Sequence, residues 1–199
     1  MNFLAHLNLS YPSAELLTGN YICDFITKHQ EKEVHNAFHD GIKMHRWIDN
    51  YSNNHPDIFQ INEYFHPYIH KYAPVGTDIV CDYLLFKNWE THNFSSFDFF
   101  QENCYRKLYE NIELMPVGIR ERCKSMIAHQ WLMQYTNLEG LEYVFNRMNT
   151  IAKFPVDFRK ILPAIETNET QLIMYFNNFY NECKSEVAKL FNPQNEMRM

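Results

Sequence analysis

Apolar residues recur at helical spacing along nearly the whole chain, and this periodicity constrains the fold more than any other feature of the sequence. In the segment AELLTGNYICDFIT, for example, Leu17, Tyr21 and Phe25 fall on one stripe. Strand-like alternation is scarce, and only 5 glycines are present, which disfavours tight hairpins and glycine-rich phosphate loops. Aromatic residues make up 16% of the chain, so large side chains are expected to fill the core. The sequence therefore predicts an all-α protein.

Prolines and capping residues set the expected helix boundaries. Ser13 can cap a helix that carries Glu15 in its first turn, and a separate helix is expected to begin near His66 or Pro67. The other predicted helices cover about residues 2–10, 14–27, 33–51, 75–90, 95–113, 116–135, 137–149 and 168–191, with one more beginning near Pro56. No segment resembles a linker, so residues 1–191 are predicted to form one helical domain and residues 192–199 a frayed tail.

The net charge and the cysteine content argue against several classes of protein. The net charge of −6 disfavours nonspecific binding to nucleic acid. The 5 cysteines include no CxxC pair, which favours reduced thiols in a cytoplasmic protein over a disulfide framework. No run of about 18 apolar residues is present, so no membrane span is expected. The apolar N-terminal segment is short and lacks a basic region, so it does not resemble a signal peptide.

Acidic residues and a histidine occur on helix faces that should be apolar. Asp24 continues the apolar stripe of its helix, and Asp78 and Asp82 are four residues apart among apolar neighbours. His45 and Asp49 repeat this spacing in GIKMHRWID. An isolated buried carboxylate is unfavourable and tends to take up a proton. Four carboxylates and an imidazole on three helices therefore favour a bound metal ion.

Spacing alone leaves other interpretations open. A histidine or an aspartate on a helix stripe is commonly a hydrogen-bonded core or boundary residue. Ion pairs are a second alternative, with Asp49 paired to Arg46 and Asp82 paired to Lys87. His6, in FLAHLNL, could join the metal site or be a core histidine. Serine-hydrolase and nucleoside-triphosphatase functions have no support, because neither a Gly-x-Ser-x-Gly elbow nor a P-loop occurs.

Five segments together carry a resemblance to a known family: MNFLAHLNLS, GNYICDF, GIKMHRWIDNY, TDIVCDYLLFKNW and WLMQY. In this order they resemble acyl carrier protein phosphodiesterase, also called acyl carrier protein hydrolase, up to about residue 150. That family is similar to the helical HD-type metal-dependent phosphohydrolases. The resemblance implies a divalent metal, manganese in the first place, with magnesium or iron as alternatives. It also implies that holo-acyl carrier protein is cleaved to apo-carrier protein and free 4′-phosphopantetheine.

The resemblance implies roles for particular residues. Asp24 matches the aspartate of G-N-x-x-x-D-F, His45 and Asp49 match H-R-x-I-D, and Asp78 and Asp82 match D-x-x-x-D. The implied principal metal ligands are Asp24, His45, Asp49 and Asp82, to which His6 could be added. Asp78 could bind the metal, act as general base or support a ligand. A divalent cation suits this reaction because it neutralises phosphate charge and lowers the pKa of bound water.

Basic residues near these motifs are candidates for substrate contacts. Arg46 could hold a phosphate oxygen if it reaches the site. Trp47 replaces a common second arginine of the family motif, and Tyr83 stands where a histidine often follows the last aspartate. An acidic carrier protein would need a local basic face, because both proteins carry net negative charge. The candidates for that face are Lys43, Arg46, Arg120, Arg122 and Lys124, although GIRERCK could equally be a solvated helix face.

Two other functions stay open at this point. One is hydrolysis of another small phosphate ester or a nucleotide, since HD-like sites accept many substrates. The other is a noncatalytic helical protein that binds carrier protein or uses a metal for stability. Manganese-dependent release of 4′-phosphopantetheine from holo-carrier protein would distinguish the three.

Overall fold

The computed structural model describes residues 1–191, which form ten α-helices and six short 3-10 turns without a β-strand. The helices are α1 (Phe3–Ser10), α2 (Ala14–Cys23), α3 (His39–Asn53), α4 (Pro56–Ile69), α5 (Ala73–Lys87), α6 (Trp89–His92), α7 (Phe97–Glu110), α8 (Val117–Ala128), α9 (Leu138–Ile151) and α10 (Leu162–Phe191). The all-α prediction is confirmed. The predicted frayed tail, residues 192–199, lies outside the described residues.

The expected start of a new helix at His66 or Pro67 is wrong. α4 continues through Pro67 and ends at Ile69, because His70 adopts a backbone angle φ of 48° that no α-helix accommodates. Pro67 lies in the last turn of α4, so its missing N–H removes a single hydrogen bond of a helix that is about to end.

Several other predicted helices are shorter than expected. α3 begins at His39 rather than near residue 33, and α7 ends at Glu110 rather than near residue 113. α2 ends at Cys23 rather than near residue 27. The helix predicted over residues 116–135 ends at Ala128, and Gln130 then adopts left-handed backbone angles. A 3-10 turn, Trp131–Tyr135, follows. The predicted start of the last helix at residue 168 coincides with a kink at Asn168 inside α10.

Two glycines allow α2 and α3 to pack unusually close together. A Cβ atom on Gly19 would lie 2.1 Å from the carbonyl oxygen of Phe38, and one on Gly41 would lie 2.3 Å from the carbonyl oxygen of Leu16. Both positions therefore exclude any larger side chain without backbone movement. This close crossing brings the polar side chains of α2 and α3 within hydrogen-bonding distance.

The core is rich in large aromatic side chains, as the composition predicts. The tyrosine and phenylalanine side chains that are almost completely buried are Tyr21, Tyr180, Phe38, Phe65, Phe100, Phe145, Phe158, Phe176 and Phe179. They come from helices along the whole described chain, so the core is assembled from segments distant in sequence. All five cysteines are free thiols. Among residues 1–191, no helix combines the length and the hydropathy needed to cross a membrane.

Candidate metal centre

Three side chains from two helices meet in a compact group with the character of a metal site. His6 of α1, His45 and Asp49 of α3 each offer one ligand atom, and these atoms all lie within 4.8 Å of one another. The Nε2 atoms of His6 and His45 are each 3.2 Å from a different carboxylate oxygen of Asp49. Asp24, directly after α2, lies beside them, with its Oδ1 atom 3.6 Å from His45 Nε2. We call these four residues the metal centre.

Asn20 fixes the orientation of one imidazole and was not singled out from the sequence. Its side-chain oxygen accepts a hydrogen bond of 2.8 Å from His45 Nδ1. Its amide nitrogen donates to the His6 carbonyl oxygen and to Ser10 Oγ, which settles which end of the amide faces His45. With the proton held on Nδ1, the lone pair of His45 Nε2 is free to bind a cation. The feature of the sequence that could have identified Asn20 is its position on the apolar stripe of α2, where the structure shows it to be buried.

His6 provides the test of whether these residues fit a cation. The side chain is almost completely buried, yet within the described residues neither ring nitrogen makes a well-formed hydrogen bond, and the only polar contact of Nε2 is the one with Asp49 at 3.2 Å. Its ring stacks on that of His45 with a centroid separation of 4.1 Å, which directs both Nε2 atoms to the same carboxylate. A buried polar nitrogen without a partner is unfavourable, and a shared cation would satisfy it. The donor set therefore fits a divalent metal ion.

The protonation states of the metal centre suit such an ion. Burial lowers the pKa of His6 to about 4, so this imidazole is neutral at physiological pH. Desolvation raises the pKa of Asp24 to about 6. Burial opposes ionisation of Asp49 as well, but the two imidazoles that contact its carboxylate, His45 and His6, outweigh it and lower the pKa of Asp49. Burial opposes protonation of His45, but the carboxylates of Asp49 and Asp24 outweigh it and raise its pKa, so a cation competes with a proton at Nε2. With both imidazoles neutral, the four residues carry a combined charge of −2, which a divalent cation neutralises.

Asp82 lies elsewhere, although the resemblance implies that it is a principal ligand. Its carboxylate is fully buried and accepts hydrogen bonds from the backbone amides of Leu4 (2.7 Å) and Ala5 (3.0 Å) at the first turn of α1. Asn2, the residue preceding α1, makes no side-chain cap, so Asp82 supplies the missing acceptors from α5. Asp82 therefore positions α1, and with it His6, and it is not among the described residues whose ligand atoms cluster at the metal centre.

Asp78 lies near the metal centre but outside its ligand group. Its Oδ1 atom is 2.6 Å from the amino group of Met1. Together with Asp24 and Asp49, it lines a cavity of about 270 Å³, which we call the acidic cavity. Asp78 is therefore the additional carboxylate in reach of a molecule bound there.

The basic residues proposed from the sequence mostly have other partners. Arg46 pairs with Glu31 at 2.6 Å rather than with Asp49. Lys43 pairs with Asp40. The remaining pairs join Arg120 to Glu113, Lys124 to Glu121, and Lys87 to Glu169 rather than to Asp82. Tyr83 also donates to Glu169, on the side of α5 that faces α10.

Removal of the Asn20 amide should weaken metal binding without unfolding the protein. In Asn20→Ala, His45 loses the acceptor that holds its proton on Nδ1, and loss of such an outer hydrogen bond costs about 10–100-fold in metal affinity. The measurement is competition for Mn²⁺ against a calibrated chelator. Asn111→Ala is a matched control, because Asn111 also binds α2, at Thr18 and the Ala14 carbonyl oxygen, outside the metal centre. Equal affinity of the Asn20 variant and the wild type would refute this role.

The family profile of acyl carrier protein phosphodiesterase matches residues 1–183. The chain is 28% identical over 150 residues to the acyl carrier protein phosphodiesterase of Escherichia coli O45:K1, covering 74% of this chain and 77% of that protein. It is 26% identical over 181 residues to the protein of the same name from Klebsiella pneumoniae subsp. pneumoniae, covering 90% and 94% of the two chains.

A third relative, the acyl carrier protein phosphodiesterase of Shigella boydii serotype 18, is 28% identical over 150 residues. No solved structure matches this chain, so the likeness to HD-type phosphohydrolases stays a prediction. The profile match extends over nearly all of the described residues, and the matched range includes His6, Asp24, His45 and Asp49. The chain belongs to the acyl carrier protein phosphodiesterase family.

Proposed function

We propose that this protein hydrolyses the phosphodiester that joins 4′-phosphopantetheine to the serine of holo-acyl carrier protein. The products are apo-carrier protein and free 4′-phosphopantetheine. The observation that carries this proposal is the metal centre itself, in which two imidazoles and two carboxylates converge beside an open cavity. Family membership supports the choice of substrate.

The metal centre is proposed to hold a divalent ion through His6, His45, Asp49 and Asp24. Manganese or ferrous iron suits this set better than magnesium, because Mg²⁺ prefers oxygen ligands whereas imidazole suits the transition metals. Such an ion supplies charge neutralisation for the phosphate and a lowered pKa for a water molecule. An ion bound at His6 Nε2 would give that nitrogen a partner beyond its contact with Asp49.

The protein's own residues provide the remaining parts of the mechanism. Asn20 accepts a hydrogen bond from His45 Nδ1, so that Nε2 is the nitrogen that faces Asp49 and would bind the cation. Asp82 fixes the first turn of α1 and thereby the position of His6. Asp78 lines the acidic cavity and is the carboxylate available to accept a proton from the attacking water. These contacts preorganise the centre, so little rearrangement is needed when the phosphodiester binds.

Intact-mass measurement of holo-acyl carrier protein tests this function. With Mn²⁺, the wild-type enzyme is expected to convert the holo-carrier mass to the apo-carrier mass and to release free 4′-phosphopantetheine. Excess chelator should stop the conversion, and readdition of Mn²⁺ should restore it. Hydrolysis of nucleotides or small phosphate esters alone would indicate a different hydrolase. Binding of carrier protein without any mass change would indicate a noncatalytic binding protein.

A further inference from the structure

A second cavity of about 630 Å³ adjoins the metal centre. We call it the arginine groove, and its walls include Phe3, Phe25, Arg122, Trp131, Arg147 and Ile151. Asn2, Asp24 and Met148 line both this groove and the acidic cavity, so the two spaces adjoin each other. The volume lies in the range of roughly 300–1,000 Å³ that is usual for small-molecule sites. A molecule with one end at the metal centre can therefore extend into the groove.

The two arginines of the groove differ from the other arginines of residues 1–191. The other four each pair with a carboxylate: Arg46, Arg106, Arg120 and Arg159. Within the described residues, Arg122 and Arg147 have no such partner. The guanidinium of Arg122 instead lies 5.3 Å from the ring centroid of Phe25, and that of Arg147 lies 5.6 Å from that of Trp131. Stacking leaves the in-plane N–H groups of both side chains available to a ligand.

The remaining walls of the groove combine apolar faces with amide groups. Trp131, Gln134 and Tyr135, from the segment WLMQY, all line it. Asn2 lies at the junction with the acidic cavity and donates to the Tyr135 hydroxyl at 2.9 Å. Asp24, at the same junction, is the sole carboxylate among the lining residues. Such a surface suits an elongated, uncharged ligand that carries both hydrogen-bond acceptors and methyl groups.

We propose that the arginine groove receives the pantetheine arm of the substrate, with Arg122 and Arg147 donating hydrogen bonds to its amide oxygens. This inference rests on the proposed function. Beyond its phosphate, 4′-phosphopantetheine is an uncharged chain with two amides, a geminal dimethyl group and a thiol. The phosphodiester must lie at the metal centre to be cleaved, so the attached arm has to leave through an adjoining space. The groove supplies that space, together with donors for the amides and aromatic faces for the apolar segments.

The test is ligand-detected NMR titration of the full-length protein with pantetheine, which has the arm but no phosphate. The wild type should bind it in the presence of chelator, because the proposed contacts do not involve the metal. The double variant Arg122→Gln/Arg147→Gln should bind about tenfold more weakly, which corresponds to roughly one lost hydrogen bond. Arg106→Gln is the matched control and should bind like the wild type, since Arg106 pairs with Glu110 on α7.

A second variant tests the groove without removing any charge. Ile151 is 73% exposed, so Ile151→Trp should fold normally while its larger side chain fills part of the groove. It should also weaken pantetheine binding. With holo-carrier protein as substrate, both groove variants should act on KM rather than on kcat.

Two outcomes would overturn the proposal. Binding of inorganic phosphate to the arginines without binding of pantetheine would make the groove an anion site. Groove variants that raise KM for holo-carrier protein but leave pantetheine binding unchanged would show that the arginines contact the carrier protein surface. The titration requires no turnover, so it decides the role of the groove even if the wild type released no 4′-phosphopantetheine. That last result would refute the proposed function alone.

Discussion

Asp49→Asn should lower kcat by about two orders of magnitude or more, because changes to outer-shell partners of a metal already cost about 10–100-fold. Asp49 is the one residue of the metal centre that contacts both histidines. The amide is similar in size but neutral, and it presents a single acceptor oxygen. The Asp49 side chain is 43% exposed, so the stability of the metal-free protein should change little. The measurement is the rate of apo-carrier formation at saturating Mn²⁺.

Asp57→Asn is the matched control for this substitution. Asp57 also lies beside a buried histidine, with its Oδ2 atom 3.8 Å from His55 Nδ1, but outside the metal centre. The Asp57→Asn variant should therefore form apo-carrier protein at the wild-type rate. A wild-type rate for Asp49→Asn would show that the cation, if required, is held by other residues.

Asp82→Ala should destabilise the protein by roughly 3 kcal/mol even without metal, since each buried amide left without an acceptor costs about 1–3 kcal/mol. The amides of Leu4 and Ala5 both lose their acceptor. Burial raises the pKa of Asp82 to about 7. In the wild type, desolvation of this carboxylate therefore offsets part of the stability that its two hydrogen bonds contribute. Urea denaturation in the presence of chelator measures the effect.

Asp98→Ala is the control, because Asp98 also lies in the first turn of a helix but is exposed. Asp98→Ala should lower the free energy of unfolding by only about 0.5 kcal/mol, because it loses just the favourable interaction of the carboxylate with the helix dipole. The stability of Asp82→Asn should lie between those of Asp82→Ala and Asp98→Ala, since the amide can still accept one of the two hydrogen bonds. A metal-free Asp82→Ala protein as stable as the wild type, but unable to bind Mn²⁺, would instead support a ligand role for Asp82.

Asp82 and His45 show where sequence reasoning succeeds and where it stops. A polar residue on an apolar helix stripe is visible from spacing, and both residues are indeed buried. Spacing does not say what the buried group faces. Asp82 faces the free amides at the start of α1, a contact across 77–78 positions of sequence, whereas His45 faces Asp49 one turn away on the same helix. The local pair was therefore predictable, and the long-range cap was not.

Helix boundaries illustrate the same limit. The caps and apolar stripes predict most helices, because those signals are local. The continuation of α4 through Pro67 and the interruption after Ala128 depend on backbone angles at His70 and Gln130, which the sequence does not mark. Gly19 and Gly41 occur in motifs noted from the sequence, but the close helix crossing that requires them appears only when α2 and α3 are seen together.

The most direct test of the central claim is to locate the metal in a crystal of the protein soaked in Mn²⁺. Anomalous scattering recorded near the manganese absorption edge identifies the ion without assumptions about activity. We expect an anomalous-scattering peak in contact with His6 Nε2, His45 Nε2 and Asp49, with Asp24 as the adjoining carboxylate. The peak should be absent in Asp49→Asn. A manganese ion bound at Asp78 or Asp82, away from the two histidines, would contradict it.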